Sequence, residues 1–140
     1  MVTPPRIARV LETALDCGDL QACVSFYQRL LELPVMLETD RVVALDAGGG
    51  SVLLLFPRGG ATEPFHSPGG VVPGHDSNGP GHLAFAIDAS DVDRWETRLA
   101  DLGIPIESRV RWERGGLSLY FRDPDGRSVE LATPGIWANY

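Results

Sequence analysis

Lysine is absent: all twelve basic side chains among the 140 residues are arginines, which excludes chemistry that depends on a lysine amine. Cysteine is scarce. Cys17 and Cys23 lie close in sequence and form no recognisable metal or disulfide pattern, so they are read as reduced thiols of a cytosolic protein. Long apolar runs are missing as well. No stretch approaches the roughly 20 residues of a membrane span, and Met1 to Ile7 has no signal-peptide core, so a soluble, cytoplasmic protein is expected. Positive charge is outweighed, with a formal net charge of -7 and a pI near 4.8. That argues against a nucleic-acid or anionic-membrane surface, because neither attracts an acidic protein.

What is present is an apolar fraction of 44%, enough for a globular core in a chain the size of one domain or of two small repeated halves. Residues 8 to 16 read as a strand. From Leu20, the positions Leu20, Cys23, Val24, Tyr27, Leu30 and Leu31 follow helical spacing, with Gly18-Asp19 as the cap and Pro34 as the stop. Strands are expected at about 35 to 39, 42 to 47 and 51 to 56. Residues 57 to 81 are dense in glycine and proline and read as one long loop, either a functional cover or a linker. His82 to Ile87 alternates like a strand. Ser90 with Asp93 makes a capping box for a helix striped by Val92, Trp95, Leu99 and Leu102, and Gly103 and Pro105 stop it. A strand at about 105 to 112 follows. Asp123-Pro124-Asp125-Gly126 has turn chemistry and joins Leu117–Arg122 to Arg127–Ala132 as a hairpin. Alternation there puts Val129 and Leu131 on one face and Ser128, Glu130 and Ala132 on the other, leaving one carboxylate in an otherwise half-buried strand.

The order strand, helix, three strands thus occurs twice. Leu31-Glu-Leu-Pro34 matches Leu102-Gly-Ile-Pro105, and Ser51-Val-Leu53 matches Ser128-Val-Glu130. The expected architecture is α+β: two tandem βαβββ modules forming a cupped, mostly antiparallel mixed sheet with helices on the outer face. Residues 1–140 form a single domain, with module one at about 8–57, the loop at 58–81 and module two at about 82–134. Aligning the first strands sets Glu12 against His82, although slack in that alignment leaves Thr13 or Asp16 as alternatives near the site. The later match sets Leu53 against Glu130.

With Ser25-Phe26-Tyr27 and Leu30-Leu31 in the first helix, Gly81-His82-Leu-Ala-Phe-Ala, and Tyr120-Phe121-Arg122-Asp123-Pro124-Asp125-Gly126 running into Val129-Glu130-Leu131, the chain resembles the vicinal oxygen chelate superfamily from about residue 8 to 134. That superfamily includes glyoxalase I, fosfomycin-resistance enzymes, extradiol dioxygenases and bleomycin-resistance proteins. The resemblance implies a divalent metal, Mn, Zn, Ni or Fe, held by Glu12, His82 and Glu130. It also implies Lewis-acid catalysis on a small oxygen-bearing substrate by a lyase, isomerase or transferase, and a homodimer. Glu12 is the departure from the usual His or Gln, and Leu53 from a further glutamate of glyoxalase I. In a catalytic role Glu12 would serve as a base and Tyr120 would contact substrate. The alternatives are an extradiol-type Fe(II) dioxygenase, which normally presents two histidines, and a metal-free small-molecule binding or resistance protein. As plain structure, Glu130 would be a surface strand residue, His82 a loop histidine and Tyr120 a core-edge tyrosine. His66 and His75 are read as solvent-exposed loop residues, with His75 able to reach the site if the loop folds over. Trp112, Arg114 and Trp137 are candidates to line or cover the pocket.

Overall fold

The computed structural model describes residues 3–77 and 79–140. Met1 and Val2 of the N-terminal stretch and Asn78 of the Gly/Pro-rich loop lie outside the described residues. The order is β1 (Glu12–Cys17), α1 (Leu20–Leu31), β2 (Val35–Glu38), β3 (Val43–Gly48), β4 (Ser51–Pro57), β5 (Phe65–Ser67), β6 (Gly70–Val72), β7 (His82–Ala86), α2 (Val92–Asp101), β8 (Ser108–Arg111), β9 (Leu117–Arg122) and β10 (Ser128–Ala132). Two βαβββ modules are present, separated by a short hairpin. Each builds its own four-stranded sheet, in the orders β1-β4-β3-β2 and β7-β10-β9-β8, and among the described residues no strand pairing joins the two. In each sheet the first and last strands pair parallel and the others antiparallel.

Local chemistry accounts for the helices. Asp19 caps α1, its Oδ1 accepting from the Ala22 N–H at 3.1 Å. The helix ends before Pro34, at Glu32, which adopts a left-handed φ of 52°. The expected Ser90 capping box does not form. Asp88 instead accepts from Ser90 and caps a short 3-10 turn, Ala89–Asp91, that leads into α2. Ridges of both helices, including Val24, Tyr27, Leu30, Trp95 and Leu99, pack on one continuous core with Leu53, Leu55, Leu119, Phe121, Val129 and Leu131. Arg98 links the two helices: it donates to the carbonyls of Leu30 at 2.7 Å and Arg29 at 2.8 Å, satisfying the end of α1.

The pairing registers define the internal repeat more closely than sequence similarity does. Glu12 lies opposite Val52 and His82 opposite Ser128, so setting Glu12 against His82 also sets Val52 against Ser128. Counting on from there sets Leu53 against Val129 and Leu54 against Glu130. Both Leu53 and Val129 point into the core. The match of Leu53 with Glu130 is therefore one residue out, and side chains alternate faces, so that slip exchanges core for cup.

Between the modules, residues 57 to 81 are not a featureless loop. Phe65–Ser67 and Gly70–Val72 pair as a small hairpin, and the Arg41 guanidinium stacks 4.3 Å from the Phe65 ring centroid. His75 packs edge-on against Phe56 of β4 at 4.7 Å between centroids, and His66 is exposed on β5. No helix among the described residues is long and apolar enough to cross a membrane.

A buried ionic cluster locks module two onto module one. Arg127 and Asp123 form an ion pair whose side chains are 3% and 0% exposed. Arg127 also donates to the carbonyls of Asp16 at 2.8 Å and Pro80 at 2.7 Å. The Tyr27 hydroxyl donates to Asp123 Oδ2 at 2.7 Å, while Asp123 Oδ1 accepts from the N–H groups of Asp125 and Arg127 and so shapes the turn. Burial, and then the Asp123 charge, push the Tyr27 phenol far above its ordinary range, so it acts here only as a donor.

Candidate metal centre

The helix-free face of the second sheet carries Ser118, Tyr120 and Arg122 from β9, Ser128 and Glu130 from β10, and His82 from β7. The Tyr120–Glu130 and Arg122–Ser128 pairings set their positions. Arg122 is committed to Glu107 at 3.0 Å and leaves the centre of this face to the others.

Glu130 is buried, with its two oxygens differently engaged. Oε2 accepts a close hydrogen bond from the Ser118 hydroxyl, which in turn accepts from Trp112 Nε1–H at 2.9 Å. Oε1 lies 3.1 Å from His82 Nε2. The other imidazole nitrogen, Nδ1, lies 3.0 Å from the Ser128 carbonyl, which can only accept. Nδ1 must therefore carry a proton, and Nε2 is the ring nitrogen that faces the carboxylate oxygen. Two acceptors at that separation repel unless a proton or a cation lies between them. The arrangement fits a metal: ligand oxygen and imidazole nitrogen each sit at ~2.0–2.2 Å from a divalent ion, so adjacent donors are about 3 Å apart. A backbone carbonyl on the second ring nitrogen is the usual support of a ligating histidine. His82 is half exposed on the solvent side, leaving room for a substrate.

The Tyr120 ring stacks beside His82, with centroids 6.2 Å apart. Burial, then the Glu130 charge, raise its phenol above the ordinary value. Tyr120 therefore holds its proton and is a donor, not a base.

The structure brings His82, Glu130 and Tyr120 together. It places Glu12 elsewhere: exposed at the start of β1, in the other sheet. Among the described residues Glu12 does not close a three-ligand group with His82 and Glu130 inside one chain. Thr13 and Asp16, the other first-strand candidates, share β1, and Asp16 is occupied by the Ser77 hydroxyl at 2.9 Å. His75 is engaged by Phe56, and Trp137 is exposed. Sequence reasoning missed Ser118 as the partner of Glu130. Its strand parity with Tyr120 was a usable signal, because Ser118 pairs with Ala132, diagonal to Glu130. Trp112, expected to line or cover the pocket, reaches Ser118, a contact that depends on how residues 111 to 116 turn.

Replacing Ser118 with alanine removes the hydrogen bond that orients Glu130. A loss of about 10–100-fold in metal affinity is expected, the range for such supporting partners, measured by competition with a chromophoric chelator while circular dichroism stays native.

Comparison with known proteins gives concordant results. The family model described as Glyoxalase/Bleomycin resistance protein/Dioxygenase superfamily matches residues 9–131. A metallothiol transferase FosB from Bacillus licheniformis is 30% identical over 133 residues, covering 94% of this chain and 79% of that protein. Biphenyl-2,3-diol 1,2-dioxygenase 3 of Rhodococcus globerulus is 33% identical over 150 residues, covering 100% of this chain and 72% of that protein. The crystal structure of a lactoylglutathione lyase from Agrobacterium tumefaciens has a TM-score of 0.84 at 35% identity, covering 97% of this chain and 99% of that one.

Proposed function

Because the chain belongs to the glyoxalase/bleomycin resistance protein/dioxygenase superfamily, we propose that it is a divalent-metal-dependent enzyme acting on a small oxygen-bearing substrate, in the lyase, isomerase or transferase class. The observation that carries this reading is the convergence of two ligand-type atoms, His82 Nε2 and Glu130 Oε1, at 3.1 Å with Nδ1 already committed to Ser128. The similarity to a metallothiol transferase and to a lactoylglutathione lyase supports it.

When bound, the metal supplies Lewis acidity toward a substrate oxygen. The chain's own residues do the rest. Glu130 and His82 hold the ion, Ser118 and Trp112 fix the Glu130 carboxylate, and Tyr120 keeps a phenolic proton to donate to the substrate. Glu12 would be the third ligand in this reading, and its carboxylate would also be able to serve as a base. Because it stands on the other sheet, a second copy supplies it, and the working unit is a cytoplasmic homodimer. One imidazole with two carboxylates is a hard, anionic set suited to Mn²⁺, Zn²⁺, Ni²⁺ or Fe²⁺. A carboxylate at Glu12 in place of a second imidazole counts against extradiol chemistry.

The test is elemental analysis after reconstitution in each metal, comparing the wild type with Glu12→Ala, His82→Ala and Glu130→Ala. Each substitution is expected to lower the retained metal and the activity together. Full metal content in all three variants overturns the site, and oxygen uptake with catechols overturns the reaction class.

A further inference from the structure

Cys17 and Cys23, which form no recognised sequence motif, meet in space. Cys17 closes β1 and Cys23 lies in the opening turn of α1, so the Gly18-Asp19 turn folds one thiol over the other, and both residues are 0% exposed. From the other module, the Asp125 side chain enters the same place through the turn of the β9–β10 hairpin. Its Oδ1 accepts from the Gly18 N–H at 2.8 Å and from Arg58 at 3.1 Å. Any side chain at position 18 would place its Cβ 3.0 Å from Oδ1, so only glycine gives the carboxylate comfortable access. One ligand atom from each of Cys17, Cys23 and Asp125 lies within 4.8 Å of the other two.

The second oxygen of Asp125 is the unexplained feature. The side chain is 8% exposed, and Oδ2 is buried with no hydrogen-bond partner. Buried carboxylate oxygens are normally satisfied, and one without a donor calls for an explanation such as an ion. A disulfide between the two cysteines would leave Oδ2 as unpaired as before. A cation resolves all three groups at once.

We propose that Cys17, Cys23 and Asp125 form a second metal site, taking a thiophilic divalent cation of the Zn²⁺ type. Two sulfurs and one carboxylate oxygen are ligand types that zinc accepts, and tetrahedral coordination leaves a fourth position for water. Binding expels one proton from each thiol and changes no oxidation state. The two thiolates and the carboxylate carry three negative charges, balanced by the cation and the Arg58 guanidinium. The site is separate from His82 and Glu130, which lie on the helix-free face of the second sheet, and it does not depend on the reaction proposed above. It would join β1 and α1 of the first module to the hairpin of the second.

The experiment uses the full chain, reduced and carrying His82→Ala with Glu130→Ala so that the other centre is disabled. After loading with Zn²⁺ and gel filtration, metal analysis and zinc-edge X-ray absorption are recorded. The expected result is one zinc per chain with sulfur neighbours at ~2.3 Å, and the same sulfur shell in the loaded wild type. Cys23→Ser should abolish that shell. If Cys23→Ser does not fold, Asp125→Asn takes its place: it should lower zinc affinity at least tenfold while sulfur neighbours remain. Loss of zinc on gel filtration, or a spectrum with nitrogen and oxygen neighbours alone, overturns the proposal, as does an unchanged affinity in Asp125→Asn.

Discussion

Glu130→Gln is expected to cost more than about 100-fold in metal affinity, beyond the upper end of what losing a supporting residue costs, and to take the activity with it, with little change in stability. The substitution preserves volume and shape. The amide oxygen can still accept from Ser118, as Glu130 Oε2 does now. The amide nitrogen then faces His82 Nε2, where Oε1 stood at 3.1 Å. It donates a hydrogen bond to the imidazole lone pair and so occupies the electrons a metal would use. Net stability should move by no more than about 1 kcal/mol, because one hydrogen bond replaces another. Metal titration followed by calorimetry, alongside urea unfolding, separates the two effects. If Glu130→Gln binds metal like the wild type, Glu130 is not a ligand.

Asp123→Ala should be the most destabilising single change outside the apolar core. It strands the Arg127 guanidinium in a place where its side chain is 3% exposed, and it removes the acceptor of the Tyr27 hydroxyl and of two turn N–H groups. Breaking one half of a buried pair costs about 3–5 kcal/mol, which in a chain of this size corresponds to a fall of roughly 10 °C or more in Tm. Urea unfolding gives the free energy directly. Asp123→Leu combined with Arg127→Met, which removes both charges, should recover part of the loss. If the single and double variants are equally unstable, the uncompensated charge is not the cause.

Much of this architecture was legible because it is local. The α1 stripe from Leu20 to Leu31 and the Asp-Pro-Asp-Gly turn each encode their element within a few residues, and the structure has both. The strand expected from residue 8 begins only at Glu12, because β1 exists where β4 is there to pair with it. The β5–β6 hairpin escaped notice because its short strands are flanked by glycine and proline and show no alternation. The off-by-one match of Leu53 had a different cause. Ser51-Val52 and Ser128-Val129 look alike, but identity of letters carries no information about which face a side chain takes, whereas pairing to β1 and β7 does. The same holds for Asp125, which meets Cys17 and Cys23 only through the packing of one module on the other.

The corrected repeat has a further consequence for how this molecule can change. At equivalent positions facing away from the core, one module carries Leu54 and the other Glu130, within the same order of strands. The first sheet thus displays what the fold does with that position when no chemistry is asked of it: it fills it with an aliphatic side chain. A buried carboxylate is the less comfortable choice, because it must be desolvated, and a leucine there would relieve that cost. If Glu130 holds a metal as proposed, the chain trades thermodynamic ease for reactivity at that one position. Under selection for heat resistance alone, Glu130→Leu is the substitution through which the second module would revert to scaffold.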